Sequence, residues 1–283
     1  MHGPTILASF LEVPSVPDRN GNRWQYNSQS DRHSKVGCWG IALDLLENSA
    51  LLRSHAAAGK VVLGVNHTMR DFGTSRKKKL DLVFARPEGP IPSNAPTFRS
   101  LVSKYQITLT VAQRASLMNV PDIAIADVGA VLIALEAKAA MTAHQKALPR
   151  LYDELNSSHA AVHGASNQAL AIGYVQINAS PTFLSSVTNK FPLAQYPAIL
   201  TKNKQPQSVQ IVLDKIAELP RRSGTAGHGF DAIGVVVLEF VNDGGPVNVV
   251  SGQAPAPALG DPFHYGGMIV RMGHEYDSRF HGI

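Results

Sequence analysis

The segment that most constrains this chain is the unbroken apolar run Ala130-Val131-Leu132-Ile133-Ala134-Leu135, which ends in Glu136-Ala137-Lys138. A short apolar run of this kind suits a buried strand. Alternate side chains on a strand share a face, so Leu132, Ala134, Glu136 and Lys138 line one side and Ile133, Leu135 and Ala137 the other. An acid and a lysine at the end of a buried strand are costly unless each finds a partner. A divalent cation would supply one partner and a phosphate the other.

The flanking pattern is that of a single α/β domain over residues 1–283, with an irregular arm at 1–35, a core at 36–180 and an extension at 181–283. The arm is polar and rich in turn residues (Pro14, Pro17, Asn20, Gly21, Asn22). Trp39, Leu43, Leu46 and Ala50 recur at helical spacing and predict a helix over Val36–Ala57. Lys60–Val65 and Leu80–Ala85 read as strands joined by a long hairpin loop. Proline-rich 87–96 is loop, and 97–119 is helical with a break near Thr108. Pro121–Ala126 and Ala130–Leu135 form two strand-like runs joined by Asp127-Val128-Gly129, where Gly129 suits a tight hairpin turn. A helix with a kink at Pro149 follows over 139–159, then a strand at Gly173–Asn178. Beyond 180 the pattern gives a prolonged loop, a helix at Gln207–Leu219, a strand pair at Ile233–Val241 and Val247–Val250, and a Gly/Pro-rich tail.

Composition narrows the functions. The net charge of +5 favours a polyanionic partner. Arg70, Arg76, Lys77, Lys78 and Lys79 crowd together just ahead of a strand, either as a solvated loop or as phosphate contacts. Cys38 is the sole cysteine, which excludes an internal disulfide and a cysteine-rich zinc cage. No 18-residue apolar run predicts a membrane span. Met1-His2-Gly3-Pro4 lacks the basic and apolar regions of a signal peptide, so an intracellular, bacterial cytoplasmic location is expected. Neither a Walker-type Gly-Lys-Ser/Thr nor an HExxH string occurs.

Two acids compete to stand beside Glu136. If Val128-Gly129-Ala130 is a three-residue loop, Asp122 lies opposite Glu136 at a Cβ separation of roughly 5 Å. The pair would then make a hard, oxygen-rich cation site. A two-residue turn would put Asp122 opposite Leu135 instead. Asp81, inside Lys79-Leu80-Asp81-Leu82-Val83-Phe84, is the rival. If 36–86 supplies the first helix and first two strands, Asp81 takes the position and 87–129 is an insertion.

Pro121-Asp122, thirteen intervening residues and then Glu136-Ala137-Lys138 resembles the signature of the PD-(D/E)XK nuclease superfamily, which includes many type II restriction endonucleases. The resemblance covers about residues 36–180. It implies a restriction-endonuclease-like αβββαβ core, a central mixed sheet flanked by helices. It also implies a Mg²⁺-dependent endonuclease, with Mn²⁺ able to substitute, that hydrolyses double-stranded DNA as a homodimer. Asp81 or Asp122 would join Glu136 in holding the metal, and Lys138 would act on the attacking water. Arg76, Lys77, Lys78 and Lys79, together with His144, Lys146 and Arg150 on the following helix, are the candidate phosphate contacts. Two alternatives stay open: a repair or RNA-processing nuclease on the same core, and a non-catalytic nucleic-acid-binding protein.

Overall fold

The computed structural model describes residues 1–283. Its centre is a mixed six-stranded sheet in the order β1-β2-β3-β4-β7-β8. The strands are β1 (Val62–Arg70), β2 (Lys77–Pro87), β3 (Val128–Ala140), β4 (Leu170–Asn178), β7 (Ala232–Glu239) and β8 (Asn248–Val250); β5 (Thr182–Leu184) and β6 (Leu200–Lys202) form a separate small hairpin. β1 and β2 run antiparallel, as do β2 and β3, whereas β3, β4 and β7 are mutually parallel. β4 is buried along its whole length, as a strand covered on both faces must be.

Helices cover both faces. Leu135 and Ala137 pack with Leu7 of α1 (Gly3–Leu11), Trp39 and Leu43 of α2 (Arg32–Asn48), and Met268 and Tyr276 of α8 (Tyr265–Arg279). On the other face Ala134 and Val175 pack with Leu151 and Leu155 of α6 (His144–Ala165) and Val212 of α7 (Gln207–Ala217). The alternation expected along β3 holds except at Leu132. There the ladder slips, Phe84 pairing with Ile133 and Ala85 with Val131, so Leu132 joins the α1/α2 face. A bulge inserts one unpaired residue in this way.

Several expectations need correction. The predicted hairpin of 121–126 with 130–135 does not form. Val128 to Ala140 is one strand whose neighbour is β2, and 121–127 makes only isolated bridges, Thr97 with Ala124 and Leu63 with Ile125. Gly129 is therefore no turn residue; a Cβ there would lie 2.9 Å from the Pro87 carbonyl oxygen, and glycine admits that close approach of backbone. The helix expected over 36–57 is split into α2 and α3 (Ala50–Ala57) at Ser49, whose hydroxyl accepts from the Leu52 N–H and caps α3. The region 97–119 does hold two helices, α4 (Ser100–Tyr105) and α5 (Val111–Asn119). They and their loops form an insertion between β2 and β3.

The arm is not wholly irregular, because α1 buries Ile6, Leu7, Phe10 and Leu11. Nor is the tail loop alone, because α8 buries Met268, Ile269, Met272 and Tyr276. The 181–283 segment is no appendage either, since β7 pairs directly with β4. No helix is long and apolar enough to cross a membrane.

Candidate active site

The β2–β3 ladder ends at Leu82 and Leu135, while β2 stays paired with β1 out to Lys77 and β3 stays paired with β4 out to Ala140. The two strands thus part company, and the first residue beyond the last pair on each is an acid, Asp81 on β2 and Glu136 on β3. The Ala137 N–H, which has no β2 carbonyl to meet, donates to Asp81 Oδ2 at 2.8 Å. That bond fixes the Asp81 carboxyl in the mouth of the fork. Burial first, and then the Glu136 charge, push its pKa up to about 6.

Glu136 is 3% exposed. Its Oε1 lies 2.6 Å from Lys138 Nζ and 3.5 Å from Lys78 Nζ. Its Oε2 is buried with no hydrogen-bond partner, an expensive state for a carboxylate oxygen. Lys138 also reaches Glu154 Oε2 on α6 at 3.0 Å, and Arg150 Nε holds the other oxygen of Glu154 at 2.6 Å. Burial works to lower the Lys138 pKa, but Glu136 and Glu154 outweigh it and the ammonium is held above its ordinary range.

Asp81, Lys138, Arg150 and Glu154 line a cleft of about 520 Å³ whose wall also includes Tyr26, Asp31 and His33, while Glu136 is buried beneath it. The His33 imidazole stacks obliquely on Tyr26, with ring centroids 4.7 Å apart. Burial lowers its pKa to about 4, so it is neutral at ordinary pH.

Of the two rival aspartates, the fork brings Asp81 to Glu136 and leaves Asp122 elsewhere. Asp122 sits exposed on the connector after α5, where its Oδ1 accepts from the Arg99 N–H at 2.9 Å. The expected register depended on the hairpin that does not form. Among the candidate phosphate contacts, Arg76, Lys77 and Lys79 are exposed on the β1–β2 hairpin, and Lys146 and Arg150 are exposed along the cleft. Lys78 instead turns inward to Glu136 and to the Glu154 carbonyl, 3.1 Å away. His144 is also turned in; it is 2% exposed, with Nε2 2.9 Å from the Asn178 carbonyl, so it ties α6 to β4 and cannot meet a phosphate.

Sequence reasoning missed Glu154, Asp31, Tyr26 and His33. For Glu154 a signal existed: an acid four residues after Arg150 on the helix that follows Lys138, the spacing of neighbours on a helix face. The other three come from the arm and the start of α2, and no local pattern links them to β3.

The Asp81–Glu136 pair suits a hard cation. An unpartnered buried oxygen and a destabilised neighbouring carboxyl are what such an ion relieves. No group of three Asp, Glu, His or Cys side chains with metal-holding geometry occurs, so the protein would contribute two carboxylates and leave the other positions to water and ligand oxygens. That is the ordinary way Mg²⁺ is held. No protein-family model, curated protein or solved structure matches this chain.

Proposed function

We propose that this protein is a Mg²⁺-dependent endonuclease of the restriction-endonuclease type, acting on double-stranded DNA. The observation that carries the reading is the fork, which sets Asp81 beside Glu136 with Lys138 two residues further along the same strand. With α3 and the α4–α5 insertion set aside, the element order α2, β1, β2, β3, α6, β4, with β3 and β4 parallel and β2 antiparallel between β1 and β3, supports an αβββαβ core. The α6 cations Lys146 and Arg150 line the same cleft.

Asp81 and Glu136 would hold the cation, with Mn²⁺ able to replace Mg²⁺. When bound, the ion polarises a phosphodiester and acidifies a water. Glu136 would offer the ion its unpartnered Oε2, with Oε1 still paired to Lys138. The Lys138 ammonium, steadied by Glu154, orients the attacking water and offsets charge that builds on the phosphate oxygens. Lys146 and Arg150 seat neighbouring phosphates. Cutting both strands calls for two copies of the site, hence a homodimer.

The closed Lys138–Glu136 ion pair, at 2.6 Å, favours a second reading, a nucleic-acid-binding protein without catalysis. One experiment separates them. Unmethylated plasmid or phage DNA is incubated with purified protein in Mg²⁺ or EDTA, alongside Glu136→Ala and Lys138→Ala. Discrete fragments from the wild type in Mg²⁺ alone, lost in both variants, are expected. Intact plasmid, RNA and branched DNA under every condition would leave the binding protein.

A further inference from the structure

The β1–β2 hairpin does more than supply Asp81 and Lys78. Its strands run on past the sheet to Arg70 and Lys77, and the apex 71–76 is built rather than loose. Asp71 Oδ1 accepts from the N–H groups of Gly73 at 2.8 Å and Thr74 at 3.3 Å, and Asp71 Oδ2 takes the Thr74 hydroxyl. The apex is also docked on the end of α6. The Phe72 N–H donates to the Gly164 carbonyl at 3.3 Å, and a Cβ on Gly164 would lie 2.3 Å from Asp71 Oδ1.

On this pinned backbone the Phe72 side chain is 75% exposed. A phenyl ring left mostly in water forgoes the stabilisation aromatic burial ordinarily brings. Its surroundings are cationic, with Arg70, Arg76, Lys77 and Lys79 all exposed. Arg70 and Lys77 are direct cross-strand partners, and like charges placed so destabilise a hairpin. The one acid of the apex, Asp71, is spent on the turn. A second copy of this surface would be repelled; a polyanion with flat apolar rings to stack on satisfies both features.

We propose that Phe72 is a stacking wedge, pressed against a base pair of bound duplex DNA while Arg70, Arg76 and Lys77 grip the flanking phosphates. The proposal rests on the nucleic-acid reading above and adds a contact site to it. Lys78 touches Glu136 and pairs across the hairpin with Met69, three residues before Phe72. At about 3.3 Å per residue this is on the order of 10 Å. The wedge therefore meets the duplex roughly three base pairs from the bond being cut, at about 3.4 Å per pair. Aromatic side chains act in this manner at kinked or unstacked steps.

The test is binding of a fluorescein-labelled mixed-sequence duplex in EDTA, where no cleavage intervenes. The full chain is compared with Phe72→Ala, Phe72→Trp and Gly164→Ala. The two native tryptophans, Trp24 and Trp39, are each 1% exposed, so Phe72→Trp places the single exposed indole at the wedge. Phe72→Ala is expected to bind about ten-fold more weakly or worse, with an unchanged salt slope and an unchanged melting temperature. Phe72→Trp should bind as the wild type does and lose emission on DNA but not on heparin. Gly164→Ala should weaken binding with the ring still present. Wild-type affinity in Phe72→Ala, or an indole indifferent to saturating DNA, would overturn the wedge while leaving the nuclease reading intact. A wild type that binds no duplex would end both.

Discussion

Two clusters of buried charge sit in this molecule, and they differ in how fully their carboxylates are partnered. In the first, Asp231 at the start of β7 is 1% exposed. Its Oδ1 meets Arg279 at 2.9 Å and Arg222 at 3.1 Å, and its Oδ2 accepts from the Ala171 N–H at 2.8 Å, with His163 3.5 Å away. Burial alone would raise the Asp231 pKa, but His163, Ala171 and Arg222 outweigh it and the carboxylate is favoured. In the second cluster, Glu136 keeps an oxygen with no partner and Asp81 is pushed up to about 6. Both oxygens of Asp231 are partnered and pin β4, β7, α6 and α8 together; the atoms there without a hydrogen bond are Arg222 Nη1, Arg279 Nη1 and the His163 ring nitrogens. In the Asp81–Glu136 cluster the unpartnered atom is a carboxylate oxygen.

The comparison can be broken at four points. Glu136→Ala or Lys138→Ala should cut Mg²⁺-dependent cleavage on the order of 10³-fold or more, with a smaller loss of stability than Asp231→Ala because Glu154 or Lys78 still partners the charge left behind. Asp231→Ala should do the reverse, costing about 3–5 kcal/mol in urea unfolding because Arg222 is left buried without a counter-charge and Arg279 keeps only Glu275. The Asp231 contribution is present above the unfolded pKa of 3.8 and disappears as pH falls below it towards the depressed folded value.

The opposite sign applies at Asp81. Its folded value of about 6 exceeds the unfolded 3.8, so its ionised form costs stability above pH 6, and that cost fades as pH falls from 6 towards 4. Asp81→Asn should therefore stabilise the protein in EDTA at neutral pH by about 1–3 kcal/mol while abolishing cleavage. A stabilised wild type on adding Mg²⁺, absent in Asp81→Asn, would sharpen the point. The smallest effect belongs to Glu154→Gln. With one of its two carboxylate partners gone, Lys138 loses part of its elevation. The alkaline limb of the pH–rate profile should move to lower pH, and kcat should fall about ten-fold or less. An unmoved profile would reduce Glu154 to a surface ion pair.

The legible part of the sequence was local. The strand that ends at Lys138, the helix after it, the next parallel strand and the β7–β8 pair all follow from contiguous patterns. The partner of Glu136 was legible only as a choice between Asp81 and Asp122, because Asp81 lies on a strand separated from β3 by a long insertion, and Gly129 imitates a turn residue when its role is to let two backbones meet. The helix α8 was hidden by Gly266, Gly267 and Gly273, poor helix formers that packing overrides. His144 and Arg222 illustrate a different gap. Helical spacing or a glycine-rich loop shows that a cation is present, not whether it turns to solvent or to a buried carbonyl or carboxylate.

The helix α6 carries Glu154, which holds the Lys138 ammonium, and ten residues later Gly164, on which the hairpin apex rests. That interval is about 15 Å of rod at 1.5 Å per residue. One residue inserted or removed between them would swing one end about 100° relative to the other. The length of this stretch is thus set by a demand for phase, which neither end imposes by itself. Its individual side chains can drift, but its count cannot.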